Sequence, residues 1–130
     1  MQSELQNKLT RIQVIDDNSF DQELVQMGLK NIAEKIHLQS AFSLDELETE
    51  SITDIDLVIC DLNLLGATID QTLKKLNDLF PNSKKIVMSG VEPLEFQALK
   101  DTYKFDTFLC KDYIFEKIEK TVLSVIDTTI

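Results

Sequence analysis

At 130 residues, 43% hydrophobic and 28% charged, the chain has the size and composition of one folded domain with a real core. Its formal net charge of −10 works against binding a nucleic acid's phosphate backbone, and no apolar run reaches the roughly 18–20 residues of a membrane span. The opening residues lack the charged and apolar blocks of a secretory signal, so the expected setting is cytoplasmic.

Residues 11–15 (Arg-Ile-Gln-Val-Ile) read as a first strand that stops at Asp16-Asp17-Asn18-Ser19. Ser19 with Gln22 fits a capping box, predicting a helix that runs to about Lys35. Phe20, Leu24 and Met27, and Val25, Leu29 and Ile32, fall at helical spacing along it. Gly28 inside this helix is unfavourable by about 1 kcal/mol relative to alanine, which points to close packing there.

Residues 36–40 alternate and read as a second, more peripheral strand, and Ser43 with Glu46 opens a short helix over about 44–50. Leu57-Val58-Ile59-Cys60 is a short apolar run suited to a strand buried on both faces, and it ends on the carboxylate of Asp61. Thr68 with Gln71 caps a helix whose Ile69, Leu73, Leu76 and Leu79 form one stripe, stopped by Phe80-Pro81-Asn82-Ser83. A fourth strand over 85–88 ends at Ser89-Gly90, and Glu92-Pro93 starts a helix with Leu94, Ala98 and Leu99 on one face. Residues 106–110 form a fifth strand running into Lys111, and Asp112 reads as the N-cap of a last helix carrying Ile114, Ile118, Val122 and Val125.

Strand and helix alternate five times, which predicts an α/β fold, a (βα)5 doubly wound sandwich around a parallel sheet. In such a sheet the residues that follow each strand share one rim, and ligands bind in the crevice outside those strand ends. With strand order 2-1-3-4-5, Asp16, Asp17, Asp61, Ser89 and Lys111 converge on that crevice. Acids brought together this way need a cation, and hard oxygen donors suit Mg²⁺. Cys60 and Cys110 match no zinc spacing or redox motif and read as buried apolar filler, and His37 lies away from this rim.

This constellation resembles the receiver domain of bacterial two-component response regulators, and the resemblance covers essentially the whole chain as a single domain, residues 1–130. It implies a flavodoxin-like fold and Mg²⁺ held by Asp16, Asp17, Asp61 and the backbone carbonyl of Asn63. It implies that Asp61 accepts a phosphoryl group from a histidine kinase, a phosphotransfer protein or a small phosphodonor, assisted by Lys111. Ser89 and Phe108 match the family's switch pair, and Asn63 and Gly90 its backbone beside the phosphate. The implied function is a phosphorylation-activated switch, not a turnover enzyme. Its face of fourth helix, fifth strand and fifth helix would meet a downstream partner, an output domain or a second copy, with Phe96, Leu99, Tyr103, Tyr113 and Phe115 as candidate contacts.

The chain departs from the family pattern at Leu65, where proline commonly stands, and at Asp112, where the lysine is usually followed by a cis proline. The competing reading is a docking module that is never phosphorylated. A flavodoxin-type cofactor binder would need a hydroxyl- and glycine-rich loop after the first strand, where this chain has two carboxylates. A dehalogenase-type phosphatase would need D-x-D there, and Asn18 occupies the third position. The chain ends with the fifth helix, as expected either for a stand-alone receiver or for one cut from a longer regulator.

Overall fold

The computed structural model describes residues 9–48, 54–90 and 96–126. Strands β1 (Thr10–Ile15), β2 (Ile36–Ala41), β3 (Leu57–Asp61), β4 (Lys84–Ser89) and β5 (Thr107–Cys110) form one sheet in the order β2-β1-β3-β4-β5. All of its neighbouring strands are parallel. The helices are α1 (Ser19–Gly28), α2 (Asp45–Glu48), α3 (Ile69–Leu79), α4 (Phe96–Thr102) and α5 (Ile114–Ile126). This is the doubly wound fold expected from the alternation.

Strand alternation divides the core into two layers. Leu57 and Ile59 of β3, with Ile86 and Met88 of β4, pack against Val25 of α1 and Leu29 just past its end, and against Ile114, Ile118 and Val122 of α5. Val58, Cys60 and Val87 point the other way, toward Leu44, Leu47, Leu73, Leu76 and Leu99. Every residue of β3 is buried, as a central parallel strand covered on both faces should be. No described helix is long and apolar enough to cross a membrane.

Several local expectations are corrected. The N-cap of α1 is Asn18, whose Oδ1 accepts from the backbone N–H groups of Phe20 and Asp21. Gln22 is not its capping-box partner, because its Nε2 donates to the carbonyls of Asp16 and Ala41 and so ties β1 to the end of β2. The α-helix also stops at Gly28, and a 3₁₀ segment, Lys30–Lys35, completes the span. Of the two apolar sets of the predicted helix, Val25, Leu29 and Ile32 enter the core, whereas of the other only Leu24 packs against it and Phe20 and Met27 are exposed. At Gly28 a Cβ would overlap Ile118 Cγ2, so the glycine is what lets α1 approach α5.

At α2, Ser43 Oγ accepts from Glu46 N–H, but the Glu46 carboxylate accepts from Phe42, one residue before the expected partner. The Thr68–Gln71 box of α3 has both of its bonds. Asp112 is not a cap. It lies inside a 3₁₀ turn, Lys111–Tyr113, that follows Cys110 with no side-chain cap bond. No peptide bond among the described residues is cis, Lys111–Asp112 included. Cys110 is half-buried rather than buried. The predicted Glu92-Pro93 start, Leu94 and residues 49–50 lie outside the described residues.

Candidate functional site

Sheet register builds the site. Ile15 pairs with Cys60, Met88 with Asp61, and Ser89 with Cys110, so Asp16, Asp61, Ser89 and Lys111 leave the sheet at one edge. Asp16, Asp17 and Asp61 each offer a carboxylate oxygen within 4.8 Å of the others'. Asp16 is fully buried, Asp61 is 2% exposed, and Asp17 is half-buried. Lys111 Nζ stands among them, 2.9 Å from Asp16 Oδ2 and 3.1 Å from Asp61 Oδ2.

Backbone donors fix the carboxylates. Asn18 N–H donates to Asp16 Oδ1 at 2.9 Å, Asn63 N–H to Asp61 Oδ1 at 2.9 Å, and Leu65 N–H to Asp17 Oδ2 at 2.8 Å. Asn63 Nδ2 donates to Ser89 Oγ at 2.8 Å, holding the buried hydroxyl toward the loop after β3. Phe108 is half-buried, with its ring edge-on to Phe96 of α4 at 5.5 Å, and Phe96 in turn meets Phe105. Gly90, exposed, follows Ser89, and its carbonyl accepts from Cys110 Sγ.

The site thus brings together every residue expected at the rim. Two features escaped the sequence reading. Asp21, on the first turn of α1, accepts from Lys111 Nζ at 2.9 Å, and the backbone N–H of Leu65 donates to Asp17. Asp21 reads locally as an acid favouring a helix N-terminus, and its only sequence signal was a third acid close behind the first pair. Of the candidate contacts on the face formed by α4, β5 and α5, Leu99 is core and Tyr113 is exposed. Phe115 instead lines a cleft with Met27 and Asn31, between α1 and α5.

Burial pushes the Asp16 carboxyl up to about 6; the Asn18 N–H and Lys111 pull it down, and the charge of Asp61 raises it further. Burial likewise pushes the Cys60 thiol up, with Asp61 and Asp16 adding to the effect, so it is inert as a nucleophile. Burial pulls the Lys111 ammonium down, but the hydrogen bond to Asp21 and the close carboxylates of Asp16 and Asp61 outweigh it and hold it above the usual lysine range.

The donor set fits a hard divalent cation. Asp16 Oδ2 is buried with no aligned hydrogen-bond donor, and two further carboxylates face it. Because Asp16 titrates higher folded than at its ordinary 3.8, its proton favours the metal-free fold below 3.8, and that contribution is lost as pH rises through about 6. The same proton competes with a cation. Mg²⁺ affinity, followed by calorimetry, is therefore expected to be flat above about pH 6 and to fall roughly tenfold per unit below it. A flat profile down to the ordinary carboxylate range would remove Asp16 from the ligand set.

No protein-family model and no curated protein sequence matches the chain. Solved structures do. The response regulator DrrB of Thermotoga maritima, an OmpR/PhoB homolog, superposes with a TM-score of 0.78 at 13% identity over 94% of this chain, which spans 54% of DrrB. The phosphorylated cyanobacterial phytochrome response regulator RcpA matches with a TM-score of 0.77 at 16% identity, covering 93% of this chain and 96% of RcpA. A CheY-like response regulator receiver domain protein from Methanospirillum hungatei matches with a TM-score of 0.68 at 21% identity, covering 93% and 99%. The fold of this chain is the fold of the response regulator receiver domains.

Proposed function

We propose that this chain is a phosphorylation-activated signalling switch of a two-component system, with Asp61 as the phosphoacceptor. The observation that carries this reading is the near-buried Asp61 carboxylate at a strand end, facing a lysine ammonium and flanked by two more carboxylates. A carboxylate oxygen of Asp61 attacks phosphorus in line. The bond from phosphorus to the donor's imidazole nitrogen or acyl oxygen breaks, and its electron pair leaves with the donor. Asn63 N–H orients Asp61 through Oδ1, and Lys111 offers its charge on the Oδ2 side, where phosphoryl oxygens need compensation.

Asp16, Asp17, Asp61 and the carbonyl of Asn63 would hold Mg²⁺, which supplies neutralisation of the phosphoryl charge. Ser89 would trade its bond from Asn63 for one to the phosphoryl group. Movement at Phe108 would then reach α4 through Phe96 and alter the surface offered to a partner, an output domain or a second copy. The donors that suit this chemistry are a histidine kinase, a phosphotransfer protein or a small phosphodonor, and the chain needs no turnover of its own.

Intact mass after acetyl phosphate tests the reading. Gain of one phosphoryl group is expected with Mg²⁺, with none after chelation and none in Asp61→Asn. A folded wild-type chain that gains nothing with Mg²⁺, from acetyl phosphate or from a histidine kinase panel, would leave the phosphorylation-independent docking module as the better reading.

A further inference from the structure

Lys111 has three ion-pair partners, but they are not equivalent. Its one aligned hydrogen bond among the described contacts goes to Asp21 Oδ2, while Asp16 Oδ2 and Asp61 Oδ2 lie within ion-pair range without such a bond. Asp21 also stands outside the cation-ready group, which comprises Asp16, Asp17 and Asp61. Oxygens of Asp16 and Asp61 are the ones a cation or a phosphoryl group would recruit, so the lysine's contacts to them are the ones a reaction would rearrange. The Asp21 contact has no such competitor.

From this asymmetry we infer that Asp21 is the positioning residue for Lys111, the fixed anchor that keeps the ammonium over Asp61 as the other two partners change. The inference rests on Asp61 being the phosphoacceptor. It also has a purely local basis. Asp21 sits on the first turn of α1, where the Asn18 cap fixes its backbone N–H, so its carboxylate starts from a rigid point. Its side chain and that of Lys111 are each 16% exposed, which limits the screening of their pair by solvent.

The test is a double-mutant cycle read by phosphoryl acceptance from acetyl phosphate at saturating Mg²⁺. Asp21→Ala is expected to slow acceptance about tenfold, whereas Asp21→Asn, which keeps an acceptor oxygen, should stay within about threefold of wild type. In a Lys111→Ala background, Asp21→Ala should cause no further loss. An unchanged rate in Asp21→Ala, or an equal loss with and without Lys111, would overturn the inference; the second result would mark Asp21 as a stabiliser of α1 alone.

A second readout needs no phosphorylation. Limited acetylation with acetic anhydride, mapped by peptide mass, should modify Lys111 several-fold faster in Asp21→Ala than in wild type, and unchanged protection would equally overturn the anchor. If wild type accepts no phosphoryl group, the proposed function fails, while this labelling still decides whether Asp21 holds the lysine.

Discussion

Replacing Lys111 by alanine is expected to destabilise the metal-free chain by about 3–5 kcal/mol near neutral pH, the usual result of removing one partner from a buried charge pair. The side chains left behind are Asp16 and Asp61, at 0% and 2% exposure, with Asp21 beside them. They would hold like charges in a water-poor crevice with no counterion. The loss should shrink as pH falls, and from above the wild-type value of about 6, because Lys111 no longer holds the Asp16 carboxyl down and a protonated Asp16 needs no cation. Saturating Mg²⁺ should recover part of it by supplying charge to the same oxygens. Urea denaturation at neutral and mildly acid pH, with and without Mg²⁺, reads all three effects. Phosphoryl acceptance in this variant should fall about a hundredfold, the scale of losing one fixed charge that stabilises a transition state. Unaltered stability at neutral pH would mean that solvent, not Lys111, compensates these acids.

Leu65→Pro is expected to weaken Mg²⁺ binding by roughly three- to tenfold, whereas Leu65→Ala leaves it unchanged, since a charge-assisted hydrogen bond is worth about 1 kcal/mol or more. The side chain is 89% exposed, so its removal touches little. The backbone matters instead, because Leu65 N–H donates to Asp17 Oδ2. Ala67 N–H bonds to the Leu64 carbonyl at 3.4 Å, and Gly66 has φ +82°, the pattern of a type II turn with Leu65 at its second position. Proline is favoured there, so the substitution suits the turn and deletes only the donor. Thermal stability should be unchanged or slightly raised, which separates this outcome from a folding defect. Equal Mg²⁺ affinity in the two variants would show that Asp17 needs no such grip. A proline at this position could not make this bond.

The fold was legible because apolar runs, helical spacing and capping residues marked most strands and helices locally. Leu57 to Cys60 alternate between the two core layers, and the Thr68–Gln71 box starts α3 as its residue types predict. The rim residues followed from topology, since parallel strands deliver their next residues to one edge. What escaped were bonds that depend on tertiary placement. Ser19 and Gln22 satisfy the spacing of a capping box, yet Asn18 is better aimed at the first turn, and Gln22 is drawn to two carbonyls that only β2 brings near. Asp112 has the chemistry of a cap, but the chain enters α5 through a 3₁₀ turn instead. Asp21 and the Leu65 N–H became visible only with Lys111 and Asp17 in place, because no local pattern distinguishes an acid that favours a helix start from one that holds a lysine.

The most direct test is to locate the phosphoryl group. After treatment with acetyl phosphate and Mg²⁺, borohydride reduces an aspartyl phosphate to homoserine, and peptide mass mapping shows which aspartate was converted. Conversion at Asp61 alone is the predicted result. Conversion at Asp16, Asp17 or Asp21, with Asp61 unmodified, would contradict it.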